Sequence, residues 1–173
     1  MPIIGVSIAV PEPWGSRLQD FRITNGDPQG TSIPTHITLI PPVVVEEERM
    51  GDVERHLEEV AATSPPYLIH LRGSGTFRPV SPVVFVSVVE GISQTEQLAT
   101  RCRRGPLAVQ LGYPFHPHVT VAHVADDALL DRAFDELSDF NCEFTVTEFH
   151  LYVHEDHQGW KATRDYTLAG SSG

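Results

Sequence analysis

The order of its predicted elements places this sequence in the α+β class. Short apolar runs of strand length alternate along the chain with amphipathic segments of helical period. Single strands and pairs of strands follow one another with helices between them, an order that predicts mainly antiparallel sheets carrying helices on one face. The length of 173 residues fits one domain with a sizeable core.

Apolar runs bounded by proline, glycine or polar turns predict the strands. In chain order they cover residues 3–10, 35–40, 67–71, 83–89, 118–124, 144–153 and 160–168. We expect Pro41-Pro42 to stop the second strand and Gly73-Ser74-Gly75 to form a turn after the third. The last two strands predict a closing hairpin around residues 155–159.

Apolar side chains three and four residues apart predict four helices. The first runs from Trp14 to the Asn25-Gly26 break, and the others cover residues 46–62, 93–104 and 126–140. Ser93 and Asp126 are the expected N-caps, because their side-chain oxygens can accept hydrogen bonds from the first free backbone N–H groups. Gly105 is expected to end the third helix.

Composition limits the classes of partner. The net charge is −11, with 12 basic and 23 acidic residues, which argues against binding along duplex nucleic acid, where many phosphates must be neutralised. Cys102 and Cys142 have no metal-ligand spacing, so we expect them reduced in a cytoplasmic protein, although a bridge between them stays open. No apolar run reaches the length of a membrane span. We therefore expect no membrane contact. We also expect the protein to be a monomer.

One four-residue phrase occurs twice, as His36-Ile37-Thr38-Leu39 and as His118-Val119-Thr120-Val121. Because side chains alternate along a strand, each His and Thr share one face and the aliphatic residues share the other. Two such strands side by side would offer two imidazoles and two hydroxyls, which suits a phosphate. A strand histidine that only satisfies a backbone group is the alternative for either copy.

Histidines elsewhere allow a second reading as metal ligands. One cluster would be formed by His116, His118 and His123, and a second by His150, His154 and His157. Pro117 and the adjacent Thr120 make the first cluster less suited to zinc than to phosphate. Exposed histidines are common around a hairpin end, so we expect no metal at either cluster.

These features together resemble the 2H phosphoesterase superfamily, and within it the bacterial 2′-5′ RNA ligase and RNA 2′,3′-cyclic phosphodiesterase family. The segments that carry the resemblance are Pro34 to Leu39 followed by Pro41-Pro42, Leu111-Gly112-Tyr113, Pro117 to Ala122, and the closing hairpin. The resemblance implies two pseudo-symmetric lobes, each a mainly antiparallel sheet with outer helices, and an active-site cleft between them. Residues 1–169 would form this bilobal domain, and residues 170–173 a flexible tail.

The resemblance also implies an activity, the opening of a 2′,3′-cyclic phosphate at an RNA end or on a small nucleotide to a 2′-phosphate. His36 would be the acid for the leaving oxygen and His118 the base for water, with the Thr38 and Thr120 hydroxyls holding the phosphoryl oxygens. Two imidazoles can supply both proton transfers near neutral pH, so no metal or cofactor is expected. With a 5′-hydroxyl in place of water, the same geometry would join RNA ends. A binding module for a nucleotide or RNA end, with little turnover, is the alternative.

One position departs from the family pattern. RNA ligase-like members carry Arg five residues after the second His, whereas this chain has His123. Strict alternation would turn His123 away from His118, although a twist at the end of the strand could bring it back. Weaker phosphate affinity, a different substrate, or a substitute cation from Arg72, Arg78 or Arg164 are all open. Tyr113, Phe115 and Trp160 are candidates to stack on a base, although we expect Trp160 to pack in the core.

Overall fold

The computed structural model describes residues 1–171, and the part of the predicted tail at residues 172–173 lies outside the described residues. The strands are β1 (Ile3–Ala9), β2 (His36–Val44), β3 (Tyr67–Thr76), β4 (Val83–Glu90), β5 (His118–His123), β6 (Asn141–Val146), β7 (Glu148–Glu155) and β8 (Gly159–Thr167). The α-helices are α1 (Trp14–Thr24), α2 (Met50–Ala62), α3 (Ile92–Cys102) and α4 (Asp127–Glu136). Short 3-10 turns cover Pro28–Thr31, Glu47–Arg49 and Gly105–Leu107.

Two antiparallel four-stranded sheets form two lobes of similar topology. Their strand orders are β2-β1-β7-β8 and β5-β4-β3-β6. The units β1-α1-β2 and β4-α3-β5 occupy equivalent positions, so one His-Thr phrase lies on an edge strand of each sheet. The α+β class with two pseudo-symmetric lobes is therefore confirmed.

The core lies behind the two phrases. Ile37 and Leu39 on β2, like Val119 and Val121 on β5, are completely buried. Full burial of such a side chain stabilises the fold by about 1.5–3 kcal/mol. The aliphatic half of each phrase therefore anchors its strand, and the His and Thr of each phrase are left on the opposite, partly exposed face.

The expectation that Pro41-Pro42 stops β2 is wrong, since the strand continues to Val44. Pairing is irregular at this point, because Val6 faces Ile40 and Ile4 faces Val43, so two prolines lie opposite the single residue Gly5. Proline lacks the N–H that a regular ladder needs, and it is tolerated on edge strands and at bulges. β2 is an edge strand with a bulge.

The glycines after Leu71 do not form the expected turn, since β3 runs through them to Thr76. Leu71 pairs with Val88 and Ser74 with Val86, so Arg72 and Gly73 lie opposite one residue of β4. Gly73 has a φ of 73°, which glycine adopts without the steric cost of a Cβ. The glycine run therefore bends a strand rather than ending it.

The predicted strand 144–153 is two strands in different sheets. β6 pairs with β3 and β7 with β1, and the chain crosses between the lobes at Thr147. Buried residues change phase there, from Phe144 and Val146 to Phe149 and Leu151. The closing hairpin of β7 and β8 around residues 155–159 is confirmed.

The helix termini differ from expectation in four places. The expectation that Gly105 ends α3 is wrong, because the helix ends at Cys102 with Arg103 as its C-cap and Gly105 begins a 3-10 turn. α2 starts at Met50 after a 3-10 turn, and α4 ends at Glu136. Gly91, not Ser93, is the N-cap of α3, and its φ of 90° is left-handed. Asp126 is confirmed as a cap, because its carboxylate accepts the N–H groups of Ala128 and Leu129.

Three further features complete the fold. Cys102 and Cys142 are both buried and free. The backbone N–H of Gly170 donates to the Ser64 carbonyl at 2.9 Å. Within residues 1–171, no helix combines the length and the apolar character that crossing a membrane requires.

Candidate active site

The edge strands β2 and β5 contact each other, and a cavity opens beside them. It has a volume of about 210 Å³. Residues from both phrases line it, with His36 and Thr38 from one lobe and Thr120 from the other. His118 lies on the same face of β5 as Thr120, two residues along the strand, and is not part of the cavity lining itself.

The same kind of hydrogen bond, from the ring to a nearby backbone carbonyl, orients both imidazoles. Nδ1 of His36 donates to the Pro34 carbonyl at 2.6 Å, and Nδ1 of His118 donates to the His116 carbonyl at 2.6 Å. A carbonyl can only accept, so Nδ1 carries the proton in each ring. Nε2 is then left as the nitrogen that can take or give a proton.

Burial lowers the pKa of both histidines below the ordinary value of 6.5. For His36 the Pro34 carbonyl opposes this effect, whereas the charges of Arg22 and His118 lower the pKa further. For His118 the His116 carbonyl raises the pKa and the charge of the His116 ring lowers it. Neutral imidazoles are therefore favoured at pH 7.

Aromatic rings explain the desolvation of His118. Its ring lies 4.9 Å from that of Phe77 and 5.3 Å from that of Phe85, centroid to centroid, and meets Phe77 edge-on. Gly75 allows this packing, since a Cβ there would lie 2.6 Å from the Phe85 ring. The glycine-containing strand β3 thus helps to hold the aromatic wall behind His118.

Thr38 and Thr120 keep their hydroxyls available. Neither hydroxyl has a hydrogen-bond partner among residues 1–171, and neither hydroxyl oxygen is completely buried. The hydroxyl of Thr35, one residue before His36, is by contrast bonded to the Gly15 carbonyl at 2.7 Å. The two phrase threonines can therefore donate to a ligand in the cavity.

His123 lines the cavity, so the strict alternation that would turn it away does not hold along the whole of β5. Phe85 pairs with Thr120 and Val84 with Ala122, so Val121 is an extra residue on β5. Such a bulge reverses the alternation beyond it. Val121 and Ala122 are both buried, and His123 returns to the face that carries Thr120.

Other predicted contacts lie elsewhere. Arg78 bonds to Asp131 at 2.8 Å, Tyr113 is 65% exposed, and the guanidinium of Arg103 covers the Phe115 ring at 5.2 Å. None of these predicted contacts lines the cavity. Two other candidate cations also lie outside its lining: Arg72 is exposed, and Arg164 bonds to Glu54 at 2.7 Å.

Trp160 is not a core residue, because it is half-exposed and lines the cavity. The backbone N–H of Trp160 donates to the Ser32 carbonyl at 3.1 Å, and the His154 ring packs against the indole with 5.1 Å between centroids. A Cβ at Gly5 would touch the indole at 3.6 Å. The hairpin of β7 and β8 thus presents an aromatic surface to the cavity.

Arg22 was missed by the sequence reasoning. It is 6% exposed, lies in the last turn of α1 and lines the cavity. A signal was present, because Arg22 follows Leu18 by four residues and so shares its buried helix face. Tyr152 and Gln29 also line the cavity without having been singled out.

Neither histidine cluster forms a metal site in the described part of the chain. Among residues 1–171, no group of three or more His, Cys, Asp or Glu side chains is arranged to hold an ion. In the second cluster, Nδ1 of His150 is bonded to Asp165 at 2.6 Å and His154 packs on Trp160. These histidines are engaged within their own hairpin.

Comparison with known proteins relates this cleft to one family. The model of the "2'-5' RNA ligase superfamily" matches residues 10–158. A Bacillus cytotoxicus protein named "Putative phosphoesterase" is 29% identical over 150 residues, covering 84% of this chain and 86% of its own length. A Bacillus licheniformis protein of the same description is 31% identical over 144 residues, covering 82% and 85%.

Solved structures share the fold. A Thermus thermophilus protein superimposes with a TM-score of 0.72 at 23% identity, covering 99% of this chain and 100% of its own. LigT of Escherichia coli, solved as a complex with 3′-AMP, gives a TM-score of 0.68 at 22% identity, covering 97% and 99%. LigT has also been solved with NADP+, ATP and phosphate.

Proposed function

Because this chain belongs to the 2′-5′ RNA ligase superfamily, we propose that it is a metal-independent phosphoesterase. Its substrates are 2′,3′-cyclic phosphates, at RNA ends or on small nucleotides, which it opens to 2′-phosphates. The curated relatives, with the phosphoesterase name and with more than 80% of either chain aligned, support the general class. The narrower proposal, that the substrates are 2′,3′-cyclic phosphates, depends on the residues of the cleft.

The observation that supports the proposal most is the matched orientation of two imidazoles. His36 and His118 each use Nδ1 on a backbone carbonyl two residues back, which leaves two Nε2 atoms for chemistry. They come from edge strands of different lobes that contact each other. A ring-opening displacement needs a base and an acid on opposite sides of one phosphorus atom, and this arrangement supplies one from each lobe.

The reaction balances without further reagents. Nε2 of neutral His118 takes a proton from water as the water oxygen bonds to phosphorus. The bond from phosphorus to the 3′ oxygen breaks, and Nε2–H of protonated His36 gives its proton to that oxygen. Thr38 and Thr120 donate to the phosphoryl oxygens as charge develops on them. The product is a 2′-phosphate with a free 3′-hydroxyl.

The ligand class is small or terminal. The net charge of −11 opposes extended contact with a polyanion. Complexes of the fold neighbour LigT with 3′-AMP, NADP+ and ATP make small nucleotides reasonable ligands for this chain as well. The exposed part of Trp160 offers a surface on which a base can stack.

The test is a substrate panel in the presence of a chelator. Purified protein is given 2′,3′-cyclic mononucleotides and oligoribonucleotides with cyclic-phosphate ends, and phosphorus NMR identifies the isomer formed. We expect 2′-phosphates as products. His36→Ala and His118→Ala should each lose kcat far more than affinity, whereas His157→Ala, in the exposed turn between β7 and β8, should keep the activity.

Two outcomes would change the proposal. Nucleotide binding without turnover of any substrate would replace it with a nucleotide-binding or RNA-end-binding module. Turnover that stops in chelator and returns with a divalent ion would contradict the metal-independent chemistry. Adding an oligomer with a free 5′-hydroxyl tests ligation, in which that hydroxyl replaces water as the nucleophile, the bond from phosphorus to the 3′ oxygen breaks and a 2′-5′ linkage forms.

A further inference from the structure

Arg22 is a buried cation inside the candidate active site. It is 6% exposed, and it lines the same cavity as His36, Thr38 and Thr120. Burying a guanidinium is energetically unfavourable unless partners compensate its charge. A chain of net charge −11 does not need this cation for solubility, so the contacts of Arg22 must account for its buried position in the cavity wall.

Asp27 positions Arg22 but does not use all its donors. Nε of Arg22 donates to Oδ2 of Asp27 at 2.6 Å. The same carboxylate accepts the backbone N–H of His123 at 2.9 Å and that of Gln29 at 2.9 Å. Three donors therefore occupy three of the roughly four acceptor positions of the Asp27 carboxylate, which leaves little capacity for the outer nitrogens of the guanidinium.

Those outer nitrogens are the unused part of the site. Nη2 of Arg22 has one long contact, 3.4 Å to Oε1 of Gln29, and Nη1 has no hydrogen-bond partner among residues 1–171. The stem is held tightly, since a Cβ at Gly30 would lie 3.3 Å from Cγ of Arg22. A rigid fork of N–H groups is thus presented at the cavity, and this geometry matches two oxygens of one phosphoryl group.

Arg22 and His36 line the same cavity and interact electrostatically. The charge of Arg22 lowers the pKa of His36, which places the guanidinium within electrostatic range of that ring. His123 lies at the position where RNA ligase-like relatives carry Arg. Its backbone N–H donates to Asp27, so Asp27 connects Arg22 in one lobe to β5 in the other.

We propose that Arg22 is a substrate-binding residue whose Nη1 and Nη2 groups bind the phosphoryl oxygens in the cleft, with Asp27 as its positioning residue. This inference rests on the proposed function for the identity of the substrate. Binding of the phosphate group itself can be measured without turnover, which makes the two separable.

The experiment compares variants by calorimetric titration with inorganic phosphate and with adenosine 2′-monophosphate. We expect Arg22→Met to weaken both by about 10- to 100-fold, the loss expected for charge-assisted hydrogen bonds. Arg22→Lys should retain part of the affinity, because it keeps the charge and loses the fork. Arg132→Met, at an exposed position of α4, is the control and should bind as the parent protein does.

A second variant guards against misfolding. Arg22→Met leaves the buried Asp27 carboxylate without its cation, whereas Arg22→Met combined with Asp27→Asn removes both charges. Parent-like phosphate affinity in the folded double variant would overturn the inference, and so would the absence of phosphate binding by the parent protein. If Arg22 governs phosphate affinity but no cyclic phosphate is opened, the inference stands and the proposed function fails.

The pH profile provides a readout that a structural role would not affect. Removing the charge of Arg22 should raise the pKa of His36, so the limb of kcat/KM controlled by His36 should move to higher pH. An unchanged profile in an active Arg22→Met variant would contradict electrostatic contact between Arg22 and the reacting groups.

Discussion

At the scale of single residues, the chemistry depends on which nitrogen of each histidine faces the cleft. A carbonyl two residues back along the chain fixes Nδ1–H in both His36 and His118. These bonds stabilise the protonated rings, yet burial outweighs them and lowers both pKa values. The site therefore binds protons more weakly than free histidine does.

The pH dependence follows from these shifts. The base works only above its pKa and the acid only below its own, so kcat/KM should be bell-shaped, with two macroscopic pKa values. Because both histidine pKa values are lowered from 6.5, we expect the maximum on the acid side of pH 6.5 and a fall above it. Initial rates at low substrate concentration measure this, and a plateau extending above pH 7 would contradict it.

The two hydroxyls lead to a second prediction at this scale. Thr38→Val and Thr120→Val keep the shape of the side chain and remove the donor to the phosphoryl oxygens. A hydrogen bond to a charged group contributes about 1.5–3 kcal/mol, so kcat should fall about 10- to 100-fold for each variant. Thr145→Val, at an exposed position of β6, is the matched control. Equal kinetics in all three variants would exclude this role for the threonines.

At the scale of elements, irregular strands position the site. The bulge at Val121 brings His123 to the face of β5 that lines the cavity. A second bulge, where Pro41 and Pro42 lie opposite Gly5, allows β2 to include both prolines. Gly73 bends β3. A sequence pattern reports the local period of a strand, but a bulge depends on the register of the partner strand, so none of the three could be predicted from the sequence.

Gly91 gives a prediction about the start of α3. Its φ is 90°, and a Cβ there would lie 2.5 Å from the Leu68 carbonyl oxygen. Gly91→Ala should therefore lower the free energy of unfolding by about 1–3 kcal/mol. Gly51→Ala, on the exposed side of α2 with only the end of Arg55 nearby, should raise it by about 0.5–1 kcal/mol. Denaturant titration of both variants checks the opposite signs.

At the scale of the whole molecule, the family resemblance, of which the repeated phrase is one part, predicted the lobes. His36-Thr38 and His118-Thr120 repeat with their aliphatic neighbours buried, and the resemblance they carry includes the bilobal fold. The sequence did not predict that residues 144–153 divide between the sheets, because both halves have strand period and only pairing separates them. Arg22 was missed for a related reason, since its partner Asp27 meets the backbone of His123 only in the folded chain.

Asp27 connects the two lobes and gives the last prediction. It is 2% exposed, and it binds Arg22 of α1 and the backbone of His123 in the other lobe. Asp27→Ala leaves the Arg22 charge buried and unpaired, so the free energy of unfolding should fall by about 3–5 kcal/mol. Asp20→Ala, exposed on α1, should change it by less than about 0.5 kcal/mol. Because one hydrophobic core includes residues of both lobes, circular dichroism and tryptophan fluorescence should report one shifted transition, whereas two separate transitions would show that the lobes unfold independently.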